Sequence, residues 1–367
     1  MKKIFISFVA LAAIAACSKT EVQYENSAEI GFAPAVKNVT KGAISGTYPA
    51  TQDLMVFANY GLVAAETTVN DANISQFSTS FLNNVRFTNK TVSVTSGNTT
   101  TTFDAWGGGY SWPNNGSLIF AGYAAPQEGN GNVGTLQTYN FVDDILTIEE
   151  YVQSTNTSET FDLAWFGRTE QSYNYVSSPS QTVRVTLSHA LSWIQIKVKG
   201  EGTTIDSTNP WTIKSITMNN VYNTGNVVCT GSGLDAAKWS DWGNTTKEVD
   251  DITVSDNTIV IFSGTQNLTA DPELCETIPD GTLVIPQTPT QTNDANPVAT
   301  LTVVYTYKTQ AGEDMPDQSV TLPLVVAGGW KSGYKYVYTL TFKSAEILVS
   351  PTYGGWEQTV DSGVTVE

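Results

Sequence analysis

Few side chains in this chain could take part in catalysis. Its single histidine, His189, has the same strand parity as its apolar neighbours, which predicts a half-buried structural position. A general base needs a partner to activate, and the sequence has no serine or cysteine nucleophile elbow. Paired carboxylates at Asp143-Asp144 and Asp250-Asp251 could serve a glycosidase, but their loop flanks are typical of solvated acidic turns. The sequence therefore predicts a protein that is not an enzyme.

The cysteines do not have the spacing of a metal or redox site. Besides Cys17 near the N-terminus, the chain has only Cys229 and Cys275. One histidine and two cysteines cannot complete a tetrahedral zinc site without carboxylates, and no glycine motif that cradles phosphate is present. No metal and no cofactor is expected. In an oxidising compartment the two cysteines either form a disulfide or stay separate and buried.

Aromatic side chains offer a different chemistry, because exposed rings stack on sugars. Trp239 and Trp242 lie in a polar segment, residues 238–243, and are the best candidates for an exposed glycan-binding platform. Most other aromatic residues lie inside apolar strands, where a place in the core is the simpler interpretation.

Composition indicates an acidic, strand-rich protein. Acidic residues outnumber basic ones by 35 to 18 in 367 residues, which gives a net charge of −17 and makes nucleic acid and anionic lipid headgroups poor partners. Only 14% of residues are charged, and Thr, Ser, Asn, Gly, Val and Tyr are abundant. This mixture favours an all-β fold, and the length allows two domains, each with its own core.

The N-terminus has the pattern of an exported lipoprotein. Lys2 and Lys3 precede an apolar run that is too short for a permanent membrane span, so residues 1–16 are expected to be a signal peptide. Ile14, Ala15 and Ala16 stand directly before Cys17, as in a lipobox, where the cysteine takes a diacylglycerol and becomes the new N-terminus. An ordinary secretory signal that happens to end at a cysteine is the alternative.

A tether and a strand follow the predicted anchor. Residues 18–26 are polar, and the alternating residues Ala28, Ile30, Phe32, Pro34 and Val36 then form one apolar face, which predicts a strand at a sheet edge. Small residues surround Lys41 and Gly42, as at a site open to a trypsin-like protease. Residues 17–41 are therefore predicted to be a lipidated tether and a strand that end at a protease-accessible site.

Short apolar runs separated by polar turns fill the rest of the chain. Residues 118–126 form a continuous apolar run that predicts a strand buried on both faces, and residues 91–102 predict a hairpin turning at Gly97-Asn98. The best helix candidate is residues 143–151. A polar segment ending near Pro179 predicts the boundary between an N-terminal domain, residues 42–180, and a C-terminal domain, residues 181–367. A change of strand parity predicts a bulge or bend near residues 189–192.

Several segments, in the same order along the chain, resemble the fimbrillin family, the type V pilins of Gram-negative anaerobes. They are residues 110–113 (Tyr-Ser-Trp-Pro), 118–126, 161–164 (Phe-Asp-Leu-Ala), 189–192 (His-Ala-Leu-Ser) with 194–198, 283–287, 333–340 and Trp356. Each segment alone is weakly specific, but together they extend from the lipobox to the tail.

The resemblance implies two tandem Greek-key β-sandwich domains of transthyretin-like type and export to the outer membrane as a lipoprotein. It also implies assembly by proteolysis and donor-strand exchange with other fimbrial subunits, either copies of this chain or homologous pilins. By this analogy Cys17 is acylated, residues 28–36 are the removed strand, and cleavage follows Lys41. The best-known members are cut after arginine, so a lysine here implies a different protease specificity.

The C-terminal tail has a pattern that suits a donor strand. Val360, Val364 and Val366 share one parity, opposite Thr359, Asp361 and Thr365. Two interpretations are open, since the tail either fills the groove of a neighbouring subunit or completes its own C-terminal sheet. A monomeric surface lipoprotein that binds glycan through Trp239 and Trp242 is the alternative function.

Overall fold

The computed structural model describes an all-β protein, as the sequence predicts. The described residues are 29–36, 48–96, 99–129, 133–156, 161–174, 176, 182–206, 208, 210–249, 252–277, 281–288, 299–309, 311–344 and 346–356. These ranges hold twenty-two strands and two short 3-10 helices, Ile74–Gln76 and Gly202–Ile205. No helix in them has the length and apolar character needed to cross a membrane.

The strands divide into nine before residue 190 and thirteen after it. The first group is β1 (Glu29–Val36), β2 (Gln52–Gly61), β3 (Thr79–Ser96), β4 (Thr99–Ser111), β5 (Ser117–Pro126), β6 (Leu136–Asn140), β7 (Ile145–Val152), β8 (Ala164–Phe166) and β9 (Val183–His189). The second group is β10 (Ser192–Gly200), β11 (Thr212–Asn219), β12 (Thr224–Thr230), β13 (Ala237–Gly243), β14 (Thr246–Val249), β15 (Ile252–Ser255), β16 (Thr258–Asn267), β17 (Glu273–Leu274), β18 (Thr282–Val284), β19 (Thr300–Thr306), β20 (Gln318–Pro323), β21 (Tyr334–Phe342) and β22 (Ile347–Gly355).

A closed barrel forms the first part of the fold, in the strand order β1-β4-β3-β2-β5-β8-β9. Neighbouring strands are antiparallel except at the seam between β1 and β9, which is parallel. Strand β5 is buried at every position, as predicted for residues 118–126. Its side chains alternate between two cores, because Leu118 and Phe120 face the barrel interior while Ile119 and Ala121 face a second core outside it.

A four-stranded sheet, β13-β12-β7-β6, supplies strands to this second core. Residues 143–151, the helix candidate, are mostly strand β7 in this sheet, so that prediction is wrong. Leu146 and Ile148 alternate inward, and β7 pairs with β6 on one side and with β12 on the other. The local hairpin with β6 and the long-range pairing with β12 together outweigh the weak local preference for a helix.

The C-terminal part is built from two sheets around a third core. One sheet has the order β17-β10-β21-β22, with β18 also paired to β10, and the other has the order β16-β11-β19-β20. Side chains such as Ile196, Ile216, Leu301 and Tyr338 fill the core that these sheets share. Strand β10 also reaches the second core through Trp193.

Strand pairings cross the predicted domain boundary at residue 180. Strand β9 follows the boundary yet completes the N-terminal barrel by pairing with β1 and β8. Strand β12 pairs with β7, so one sheet contains strands from both halves of the sequence. The division into residues 42–180 and 181–367, and the Greek-key description of each part, remain predictions.

Two local predictions fit the observed strands. The hairpin of residues 91–102 is present as β3 paired with β4, with Ser96 opposite Thr99, while the predicted turn residues Gly97-Asn98 lie outside the described residues. Near residues 189–192 the chain leaves the barrel at the end of β9 and enters a different sheet at β10. The change of parity therefore marks a change of sheet.

The two cysteines after Cys17 are separate, buried thiols. Cys229 lies in the second core and Cys275 in the third. Burial raises the pKa of the Cys275 thiol to about 12, with a further contribution from Glu276, and burial also raises the pKa of the Cys229 thiol. Both thiols therefore stay protonated at neutral pH.

We expect these two thiols to resist alkylation while the protein is folded. Only the thiolate reacts, so iodoacetamide at pH 8 should modify Cys229 and Cys275 at least about 100-fold more slowly in buffer than in urea. Peptide mass spectrometry measures each site separately and excludes any contribution from Cys17. Rapid labelling of either site in the native protein would contradict the placement of that cysteine.

Candidate functional site

Strand β1 occupies a groove between β4 and β9 and closes the barrel. Its antiparallel ladder with β4 ends where Phe32 lies opposite Trp106, whereas its parallel ladder with β9 runs from Phe32 to Val36. Pro34 thus lies beyond the β4 ladder, where its missing N–H donor costs no hydrogen bond to that strand. The strand predicted for residues 28–36 is confirmed over Glu29–Val36, but its predicted position at a sheet edge is wrong, because β1 pairs with β4 on one side and with β9 on the other.

The inward face of β1 fills the barrel interior. Ile30 and Phe32 are fully buried. The Phe32 ring meets Phe87 edge-on at 5.0 Å and Phe120 edge-on at 5.2 Å between ring centroids, and it lies 6.3 Å from Phe166. Edge-to-face packing of this kind adds to the hydrophobic effect of burial. Phe32 is therefore the main anchor of β1, and the space that it fills is called the Phe32 pocket below.

The first residue of β1 is fixed by polar contacts at the mouth of the groove. An oxygen of the Glu29 carboxylate accepts hydrogen bonds from Lys90 Nζ at 2.6 Å and from the backbone N–H of Gly109 at 2.9 Å. The hydrogen bond from Lys90, together with that from Gly109, lowers the pKa of Glu29. Both side chains are nearly half exposed, so this contact guides the register of β1 more than it stabilises the fold.

We expect Glu29→Gln to cause a small loss of stability that depends on pH. Because the pKa of Glu29 is lower in the folded state, its contribution is present above the unfolded-state pKa and disappears as the pH falls through the folded value. Urea unfolding should show a loss of less than about 1 kcal/mol at pH 7 and none near pH 2. Glu128→Gln, at an exposed glutamate distant in sequence, is the matched control, and an equal loss there would contradict the assignment.

Other predicted site residues lie outside the described residues. These are the predicted lipidation site Cys17, the first residue of the removable strand, Ala28, the cleavage site Lys41-Gly42, and the tail residues Val360, Val364 and Val366. The tail follows β22, which among the described strands pairs with β21 alone and forms one edge of its sheet. Trp356, directly after β22, is buried against His189 and Trp193, so the tail starts from a fixed point.

His189 is a structural residue, although it is fully buried where the sequence predicts half burial. Its Nδ1 lies 2.6 Å from an Asp162 carboxylate oxygen, and its ring packs on Trp356 at 3.7 Å between centroids. Nothing in the local sequence pattern predicts the contact of Asp162 with His189. Asp162 and His189 belong to two of the segments that resemble the fimbrillin family, which is the only signal that could have paired them.

The two tryptophans of the expected glycan platform lie in different surroundings. Trp239 is only 7% exposed, and its Nε1 donates to the Ala190 carbonyl, so its prediction as an exposed residue is wrong. The alternation of β13 turns Trp239 inward against Tyr151. Trp242 is 40% exposed, and its Nε1 donates to the Pro286 carbonyl. The two rings therefore do not form one exposed platform.

The acidic pairs have structural surroundings where they are described. Asp144 accepts hydrogen bonds from the backbone N–H of Arg168 and from the Tyr139 hydroxyl, and Asp143 accepts one from Asn140. Asp250 and Asp251 lie outside the described ranges. The described part of the chain contains no cluster of three or more metal-binding side chains.

Comparison with known proteins identifies the family. A sequence model of the fimbrillin-like family matches residues 43–356, which is most of the chain. The chain belongs to the fimbrillin-like family. No curated protein matches this fimbrillin-like chain in sequence.

Solved structures similar to this fimbrillin-like chain share little sequence with it. A fimbrial protein from Bacteroides vulgatus ATCC 8482 has 18% identity and a TM-score of 0.47, with 84% of this chain and 93% of that chain covered. The tip fimbrial protein Mfa3 from Porphyromonas gingivalis, truncated at its C-terminus, has 9% identity and a TM-score of 0.37, with 90% and 100% covered. The fimbrial anchor protein Mfa2 from the same organism has 11% identity and a TM-score of 0.27, with 89% and 97% covered.

Family membership confirms the resemblance found in the sequence. It supports a role as a fimbrial subunit at the cell surface, and it indicates a structural protein.

Proposed function

We propose that this protein is a structural subunit of a surface fimbrium that polymerises by donor-strand exchange and supports adhesion. In this proposal it is exported as a lipoprotein, held in the outer membrane through Cys17, and released by cleavage after Lys41. The observation that carries the proposal is the position of β1, which closes the barrel through one short antiparallel ladder and one parallel seam. Its partners are other fimbrial subunits.

Loss of β1 creates a site that needs a replacement strand. Backbone groups of β4 and β9 lose their ladder partners, and the Phe32 pocket opens to solvent. Unpaired strand edges attract another strand, and an apolar pocket beside them adds side-chain specificity. Cleavage also lowers the effective concentration of β1, since a linked strand becomes a separate peptide.

The incoming strand is the tail of a neighbouring subunit, with Val360, Val364 and Val366 on its inward face. Strand β22, the last described strand, lies at the edge of its sheet and pairs with β21 on one side, which favours this assignment. The cleaving protease accepts lysine, because the residue before Gly42 is Lys41.

Replacing Lys41 with alanine tests the proposal. We expect the variant to stay in the membrane fraction and to form no filaments, while the unaltered protein yields filaments whose first residue is Gly42. N-terminal sequencing of shed material and electron microscopy measure these outcomes. Lys37→Ala is the matched control, since Lys37 lies between β1 and the predicted cut. Filaments of normal abundance from Lys41→Ala would overturn the proposed processing.

The alternative, a monomeric lipoprotein that binds glycan through Trp239 and Trp242, has less support. Burial of Trp239 removes one of the two rings, and Trp242 alone presents a small surface. A glycan binder of this kind should also be indifferent to the Lys41→Ala change.

A further inference from the structure

A cleft of about 530 Å³ opens on the outer side of the barrel, between β2, β3, the 3-10 helix Ile74–Gln76 and the turn after β6. This volume is within the range of small-molecule binding sites. Its lining residues are Phe57, Asn59, Ile74, Ser75, Phe77, Ser78, Ser80, Leu82, Asn83, Tyr139, Asn140, Phe141 and Val142. Strand β1 contributes none of them, so the cleft is independent of the groove.

Aromatic rings form the inner wall of the cleft. Phe57 and Tyr139 are nearly parallel, with ring centroids 5.9 Å apart, and Phe141 meets Tyr139 edge-on at 4.7 Å. Phe57 and Phe141 are buried, while Tyr139 is partly exposed. Tyr139 is therefore the ring of this wall that a ligand can reach, and Phe57 and Phe141 pack against it from the protein side.

Polar groups without partners line the rim of the cleft. Ser75, Ser78, Ser80 and Asn83 are exposed, and no other side chain or backbone group in the described ranges hydrogen-bonds to their side chains. The amides of Asn59 and Asn140, in contrast, already donate to Phe77 O and to Asp143. Three hydroxyls and one amide thus remain available as both donors and acceptors.

The cleft carries no charge, although the whole chain carries −17. None of its lining residues is acidic or basic. Burial and the nearby Asp144 raise the pKa of Tyr139, which keeps its phenol neutral. A charged ligand would lose hydration without gaining an ionic partner, so this lining favours a neutral one.

We propose that this cleft is a binding site for a neutral carbohydrate. One face of a sugar ring is made of C–H groups that pack on an aromatic wall, and its hydroxyls bond to groups like those of the rim. Aromatic, hydroxyl and amide groups meet on one neutral surface here, which matches both parts of a sugar. The site replaces the pair Trp239 and Trp242 as the contact with glycan, and it rests on the adhesive role proposed above.

A glycan array probed with the full chain tests this proposal. We expect binding to neutral glycans and at least tenfold weaker binding in Ser80→Trp, whose indole fills the cleft from an exposed strand position. Thr88→Trp, at an exposed position on the same strand but outside the cleft, should bind as the unaltered protein does. Asn83→Ala removes one rim amide without adding bulk and should also weaken binding, which covers the case in which Ser80→Trp does not fold.

Three outcomes would overturn the proposal. They are no binding to any neutral glycan, a preference for sialylated or sulfated glycans, and unchanged binding in a folded Ser80→Trp protein. If Trp242→Ala lost glycan binding while Ser80→Trp kept it, the glycan site would lie at Trp242 in β13 and not in the cleft.

Discussion

Replacing Phe32 with alanine should lower the free energy that holds β1 in the barrel by about 3–5 kcal/mol. The ring is fully buried and touches Phe87 and Phe120 edge-on, so its removal costs both the transfer of the ring and an unfilled cavity. Hydrogen exchange of the β1, β4 and β9 amides in the uncut protein measures the opening of this groove directly.

Ala35→Ser is the matched control, because Ala35 lies on the same strand with its side chain exposed. Its effect should stay within about 0.5 kcal/mol. Equal protection of β9 amides in Phe32→Ala and in the unaltered protein would show that β1 does not depend on this pocket.

The same substitution should speed filament formation by the cut protein, although it destabilises the barrel of the uncut protein. If β1 leaves before a donor strand enters, weaker docking speeds its departure by about 100-fold or more, since each 1.4 kcal/mol is about a factor of ten. Cut Phe32→Ala protein should therefore form filaments sooner than cut unaltered protein, as light scattering would record.

Local sequence patterns were enough to predict features that depend on one strand alone, namely its periodicity and its burial. The alternation of residues 28–36 predicted which side chains of β1 face inward, and the unbroken apolar run of residues 118–126 predicted a strand between two cores. Period and burial are properties of a single segment, so one sequence reveals them.

Long-range pairings could not be read in this way. Strand β7 resembled a short helix because one of its partners, β12, lies far along the chain. Trp239 was predicted to be exposed because its sequence neighbours are polar, whereas its side chain points into the core. The carbohydrate cleft joins β2, β3 and the turn after β6, and each contributes residues that are ordinary by themselves. The Asp162–His189 contact likewise needs two distant segments to meet.

Deleting residues 357–367 should abolish polymerisation and leave a folded monomer. The last described core residue, Trp356, is retained in this variant, so the stability of the C-terminal sheets should be nearly unchanged. Size-exclusion chromatography and electron microscopy of the cut protein measure assembly, and thermal unfolding checks the fold. Filaments from the shortened chain would show that the tail is not the donor.

Substitutions on the two opposite faces of the predicted tail strand give a finer test of the donor assignment. Changing Val360, Val364 and Val366 to serine should prevent filaments as the deletion does, because these side chains share the face that enters the groove. Changing Thr359 and Thr365 to serine alters the opposite face and should leave filaments intact. If the tail instead completes its own sheet, the valine changes should lower thermal stability and leave assembly unaffected.

The size of the Phe32 pocket allows a test of which tail residue enters it. A valine side chain is much smaller than the phenylalanine ring, so a donor tail with valines on its inward face would underfill the pocket and would not displace an intact, linked β1 by itself. Of the three variants Val360→Phe, Val364→Phe and Val366→Phe, the one whose ring enters the pocket should slow subunit dissociation at least tenfold. The other two should weaken association, because an overlarge side chain clashes with the barrel wall. Three equal effects would mean that the tail does not enter this groove in a fixed register.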